Sequence, residues 1–120
     1  MKIALSAQAK DLASPLEERF GRAPSFLIYD LEDNSYYAIA NNQSLNSPQG
    51  AGIQSAENIA NTDIKAVITG NVGPKAFRAL QATGIDIYLT KNVSLNEAIA
   101  AFREGRLVKA SANNVEGHWV

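Results

Sequence analysis

The residues best suited to chemistry are two glycine-bearing turns, Gln49-Gly50-Ala51-Gly52-Ile53 and Gly70-Asn71-Val72-Gly73-Pro74, each opening onto an amphipathic stretch. The start of a helix exposes backbone N–H groups without intrahelical partners at the positive end of its dipole, and so attracts anions. Glycine there lets a ligand come close to the backbone. The candidate binding set is the backbone of Gly50, Ala51, Gly52, Asn71, Val72 and Gly73. Arg22, in Phe20-Gly21-Arg22-Ala23-Pro24, adds a rigid guanidinium fork of the kind that binds anions. The same glycines also suit tight turns that need a positive φ, and a solvated surface charge is a common fate of an arginine. Neither turn is a P-loop, because no Gly-Lys-Ser/Thr follows. Neither completes a dinucleotide fingerprint, because the spacing differs and no strand leads directly into Gly50.

Other reactive residues are sparse. Arg19, Lys75 and Lys91 either add positive potential to the same region or sit on solvated faces. His118 is the only histidine, in Gly117-His118-Trp119; it is a metal ligand only if the tail folds back, as burial of Trp119 would require. A serine–histidine pair would have to recruit His118, and no nucleophile elbow is present. Glu17, Glu18, Glu32, Asp33 and Glu57 fall in loops or on outer helix faces. Catalysis is therefore not expected.

Composition bounds the reading further. The chain has 120 residues, 46% hydrophobic and 19% charged, with a net charge of −1, which suits one globular domain. That charge offers no basic surface for nucleic acid, so any anion site is local. The absence of cysteine excludes disulfides and thiolate metal sites. No apolar run approaches the ~20 residues of a membrane span, and no signal-peptide pattern is seen, so a cytoplasmic location is expected.

Patterning supplies the elements that must position these turns. Residues 2–7, 26–31 and 36–40 read as strands, the last two joined by Asp33-Asn34-Ser35. Residues 8–24 read as irregular, broken by Pro15 and Pro24. A helix over 51–61 carries the stripe Ile53, Ala56, Ile59 and Ala60, and a strand follows at 66–69. A second helix starts at Pro74 and stops near Gly84, before a strand at 85–89. A third opens on the capping box Ser94-Leu95-Asn96-Glu97 and ends at Gly105. The expected fold is α/β, a five-stranded mixed sheet ordered 3-2-1-4-5, with strand 2 antiparallel and helices on both faces. This order brings the two glycine turns, the Arg22 segment and the loop after strand 1 to the carboxyl edge of the sheet, where open α/β sheets bind ligands. Residues 1–105 form the expected domain and 106–120 a C-terminal tail.

Taken together, Phe20-Gly21-Arg22-Ala23 before a strand ending in Asp30, Gly50-Ala51-Gly52 opening a helix, and Val67-Ile68-Thr69-Gly70-Asn71-Val72-Gly73-Pro74 with Ala79-Leu80 and Gly84-Ile85 downstream resemble the dinitrogenase iron-molybdenum cofactor biosynthesis family. The resemblance covers about residues 1–105. It implies a ribonuclease H-like motif, without that fold's two-metal nuclease chemistry, since the first strand, Ile3-Ala4-Leu5-Ser6-Ala7, carries no acid. It further implies a non-enzymatic carrier of an anionic metal–sulfur cluster, of the molybdenum–iron precursor or molybdenum–copper sulfide type, bound non-covalently. A protein partner in cofactor assembly is compatible with that role; nucleic acid and membrane partners are not expected. Some family members are thought to use a histidine on the cluster, and residues 1–105 contain none. Two other readings use the same turns: a regulatory module binding a small-molecule or nucleotide phosphate, and a partner-binding scaffold that has no anion dependence.

Overall fold

The backbone of residues 1–41 and 51–115 is described by a computed structural model, with the side chain of Ala51 excepted. Lys2–Ala7 forms β1, Ser25–Asp30 β2 and Tyr36–Ala40 β3. Ala51–Ala60 is helix α1, Ala66–Thr69 strand β4, Pro74–Ala82 helix α2, Asp86–Leu89 strand β5 and Leu95–Arg103 helix α3. A two-residue strand, β6 (Val108–Lys109), completes a sheet ordered β3-β2-β1-β4-β5-β6. The sheet thus has six strands rather than five, with the expected order intact among the first five. Strand β2 runs antiparallel to β1 and β3, whereas β1, β4 and β5 are parallel. The sixth strand pairs antiparallel with β5, and the Lys109–Asp86 ion pair at 3.2 Å marks that edge. Such an edge charge discourages pairing with other chains.

Burial explains the arrangement. From Ile3 onward β1 is buried on both faces, as is β4, and both read as short apolar runs rather than alternating strands. One face packs Phe26, Ile28 and Val67 against α1 and α2 through Ile59, Phe77 and Leu80. The opposite face packs Leu5, Leu27 and Ile68 against α3 through Leu95 and Ile99. Helices therefore cover both faces, as expected. Gly84 and Gly105 both take positive φ just past α2 and α3, at +78° and +71°, the left-handed geometry that glycine tolerates at helix ends.

The segment after β1 is ordered by pairing that local pattern does not reveal. Leu16 bridges Ala7, Pro15 bridges Ser94 and Arg19 bridges Asn71. The buried Ser6 hydroxyl donates to the Glu17 carbonyl at 2.5 Å and shares a 2.8 Å hydrogen bond with Thr69. Residues 15–20 therefore form a ridge across the carboxyl ends of β1 and β4. It ends in a 3₁₀ turn, Phe20–Arg22, whose Phe20 is fully buried and packs its ring 5.2 Å from that of Phe26. Residues 106–115 continue along the body. Ala110 is buried and its N–H donates to Ile87 at 2.7 Å.

Candidate functional site at the carboxyl edge of the sheet

Strand direction puts four segments at one edge: the end of β1, the 3₁₀ turn leading into β2, the residues after β3, and the turn after β4. A buried polar network fixes two of them together. Asn41 Nδ2 donates to the Ala23 carbonyl at 2.8 Å and to Ser55 Oγ at 2.9 Å, while Asn58 Nδ2 donates to Asn41 Oδ1 at 2.7 Å. Helix α1 is thereby fastened to the turn that bears Arg22. Gly52, Ser55, Ala56 and Ile59 are its buried positions. The buried face is thus rotated from the expected stripe, with Ile53 and Ala60 half-buried, and Ser55 next to Ala56 is the sequence sign of the network.

Arg22 is exposed, and among the described residues no ion pair or hydrogen bond engages its guanidinium. Gly50 lies outside the described residues, as do His118 and Trp119; Ala51 and Gly52 open α1. After β4, Val72 is fully buried, and Gly73 is the residue that precedes α2.

The three amides of this second turn are not equivalent. Asn71 N–H donates to the Glu18 carbonyl at 2.6 Å, and Val72 N–H donates to Asn114 Oδ1 at 2.7 Å. The expected set of Asn71, Val72 and Gly73 is therefore partly committed within the protein. Gly70 is demanded by packing, since a Cβ there would lie 2.7 Å from Glu18 Cβ and 2.9 Å from its Cα and carbonyl oxygen. Gly73 has φ −83° and ψ 173°, so the alternative reading of this turn as one that needs a positive φ does not hold. Extended backbone suffices to aim the chain into α2, where Pro74 presets the first helical φ.

Helix starts differ in how they are satisfied. Ser94 Oγ accepts from Glu97 N–H at 3.1 Å and Glu97 Oε1 accepts from Ser94 N–H at 2.8 Å, closing a reciprocal capping box on α3. The Ser94 backbone N–H, and after it the Ser94 hydroxyl, hold the Glu97 carboxyl below its ordinary range. Gly73 gives α2 no side-chain cap, and neither α1 nor α2 has an acid in its first turn.

A cavity of about 610 Å³ lies on the α3 side of the ridge, lined in part by Glu17, Glu18, Arg19, Asn71, Asn92 and Glu97. Arg19 is held near Glu17 at 3.7 Å, and Glu18 Oε2 accepts from Asn92 N–H at 2.8 Å. Asn71 lines this cavity, whereas Arg22, Val72 and Gly73 do not. Three carboxylates against one guanidinium repel an anion. The two sides of one edge therefore have opposite character.

A mixed open sheet with helix N-termini gathered beyond its strand ends has the architecture in which α/β domains bind ligands. Residues 1–105 match the family described as dinitrogenase iron-molybdenum cofactor, and the chain belongs to that family. It is 39% identical over 111 residues to an uncharacterised protein of Methanocaldococcus jannaschii, covering 91% of each chain. The apo form of the orange protein from Desulfovibrio gigas superposes with a TM-score of 0.90 at 33% identity, covering 95% of this chain and 96% of that one. A Thermotoga protein provisionally described as NifB superposes with a TM-score of 0.79 at 31% identity, covering 97% and 98%.

Proposed function

We propose that this protein binds and carries an anionic metal–sulfur cluster as cargo, without catalysing a reaction, at the side of the carboxyl edge formed by Arg22 and the starts of α1 and α2. The carrying observation is the uncapped start of α2 at Gly73 beside helix α1, with no acid in the first turn of either helix. Unpaired N–H groups and two positive dipole ends favour a negative group there. The family's description, which names an iron–molybdenum cofactor, supports an anion of that kind as the cargo. A neighbour at 33% identity is described as an apo form, which also suits a protein that takes up a separate group.

The donor set fits such cargo in one respect. With no cysteine in the chain, and no group of three histidine, aspartate or glutamate residues placed to hold a metal ion among the described ones, the contacts offered at this site are hydrogen-bond donors. Amides and a guanidinium suit the sulfides of a preassembled cluster. The backbone of Gly50, Ala51 and Gly52, the Gly73 amide and the Arg22 fork would hold it from outside. The Val72 amide is free for this role only if Asn114 leaves it. The cargo would be of the molybdenum–iron or molybdenum–copper sulfide type, passed to a partner in cofactor assembly.

The test is anaerobic titration with tetrathiomolybdate, a soluble molybdenum sulfide anion, followed by its visible absorption. Wild type binds, and Arg22→Ala binds more weakly by about tenfold or more, since a charged hydrogen bond is worth ~1.5–3 kcal/mol. Melting temperature stays unchanged, because Arg22 is exposed. Equal affinity in Arg22→Ala would remove Arg22 from the site. Binding of a nucleotide but not of the sulfide would favour the phosphate-binding reading instead.

A further inference from the structure

Asn114 reaches the Gly70–Gly73 turn from 42 residues beyond Val72. Its Oδ1 accepts from Val72 N–H at 2.7 Å, and its own N–H donates to the Val72 carbonyl at 3.1 Å. Its Nδ2 donates to the Gly70 carbonyl and to Asn71 Oδ1, both at 3.1 Å. One exposed carboxamide thus reads both edges of the turn that feeds α2. The preceding fixed point is Ala110, whose N–H is bonded to Ile87. Residues 111–113 between them are exposed and show no hydrogen bond to the body among the described residues.

We infer that Asn114 is a gate on the α2 start: its carboxamide oxygen is an internal occupant of the Val72 amide, and an anion arriving beside Gly73 displaces it. This inference rests on the site proposed above. The chemistry sets the direction of exchange. A carboxamide oxygen is a neutral acceptor, and hydrogen bonds to an ionised acceptor are roughly twice as strong. The groups released from Nδ2 meet water at little cost, because Asn114 is exposed and Asn71 half-exposed. Without ligand the carboxamide keeps the Val72 N–H from being left unsatisfied beside a fully buried side chain. Residues 111–115 are then closed when the site is empty and released when it is filled, so the loaded state carries a signal at the surface.

Amide NMR of the full chain during titration with tetrathiomolybdate tests this. The Val72 and Gly73 backbone signals and the Asn114 side-chain NH₂ signals are expected to move together. Asn114→Ala is expected to bind the probe about three- to tenfold more tightly, the factor that corresponds to one net hydrogen bond no longer in competition. Asn113→Ala, whose side chain among the described residues bonds to the Val115 carbonyl alone, serves as the neighbour control and is expected to match wild type. If Val72 and Gly73 respond while the Asn114 NH₂ signals stay fixed, or if Asn114→Ala binds no more tightly, the gate is overturned and the site stands. If neither helix start responds, the site is overturned and the gate with it. Should Asn114→Ala melt well below wild type, the wild-type signals alone decide.

Discussion

Gly70 and Gly73 lie in one turn and serve different needs. Gly73 sits at φ −83° with no special strain, so its value lies in the open helix start it precedes. Gly70 is squeezed against the backbone of Glu18, with 2.7 Å to the nearest atom a Cβ would meet. The backbone there is held by Asn71 N–H on the Glu18 carbonyl, and it cannot retreat without breaking that bond. Gly70→Ala is therefore expected to destabilise the protein by about 2 kcal/mol, in the range of overpacked cores. Urea unfolding checks this, and an unchanged midpoint would show that the ridge yields freely. At this scale the sequence offered candidate amides but did not show which of them are committed within the protein. Partners such as Glu18 and Asn114 are distant along the chain, and a donor's direction is set only after the ridge and tail have docked. The glycine pattern alone cannot separate close packing from close ligand approach.

The elements were the most legible level. Strands β1, β3 and β4 and the starts of α2 and α3 fall where apolar runs, Pro74 and the Ser94-x-x-Glu97 box put them. Their order followed because right-handed crossovers leave few alternatives. The two-residue β6 is too short to show a period, and the ridge of residues 15–20 is stabilised by bridges to Ala7, Asn71 and Ser94 rather than by local propensity. The capping box gives a direct check at this scale. Ser94→Ala is expected to cost about 1 kcal/mol in urea unfolding, the usual loss of a serine cap. Because Glu97 titrates lower in the folded protein, its charge-dependent contribution is present above the ordinary carboxylate pKa and is lost as pH falls through the folded value. Glu97→Gln keeps an acceptor and removes the charge. Its urea midpoint is expected to lie below wild type at pH 7, and the difference is expected to close as pH falls below the ordinary carboxylate range. A constant gap across that window would mean the carboxylate charge contributes nothing to the cap.

At the scale of the molecule, the edge of the sheet is electrically divided although the chain's net charge is only −1. The α3 side gathers Glu17, Glu18 and Glu97, whereas the α1/α2 side offers Arg22 and two helix starts free of acids in their first turns. No long-range attraction from the whole protein draws an anion in, so the proposed complex depends on short-range positive potential. Raising salt from 0.1 to 1 M shortens the screening length from about 10 Å to about 3 Å. Tetrathiomolybdate affinity is therefore expected to fall several-fold over that range in wild type. The fall is expected to be smaller in Arg22→Ala, which has one less exposed charge to screen. A cluster bonded through its metal to His118 would behave differently, keeping its affinity in 1 M salt and losing it in His118→Ala. Parallel titrations of wild type, Arg22→Ala and His118→Ala at the two salt levels separate the arrangements. A salt-dependent wild type matched by His118→Ala supports cargo held by amides and arginine. Salt-independent binding that vanishes with His118 would move the site from the start of α2 to the C-terminal tail.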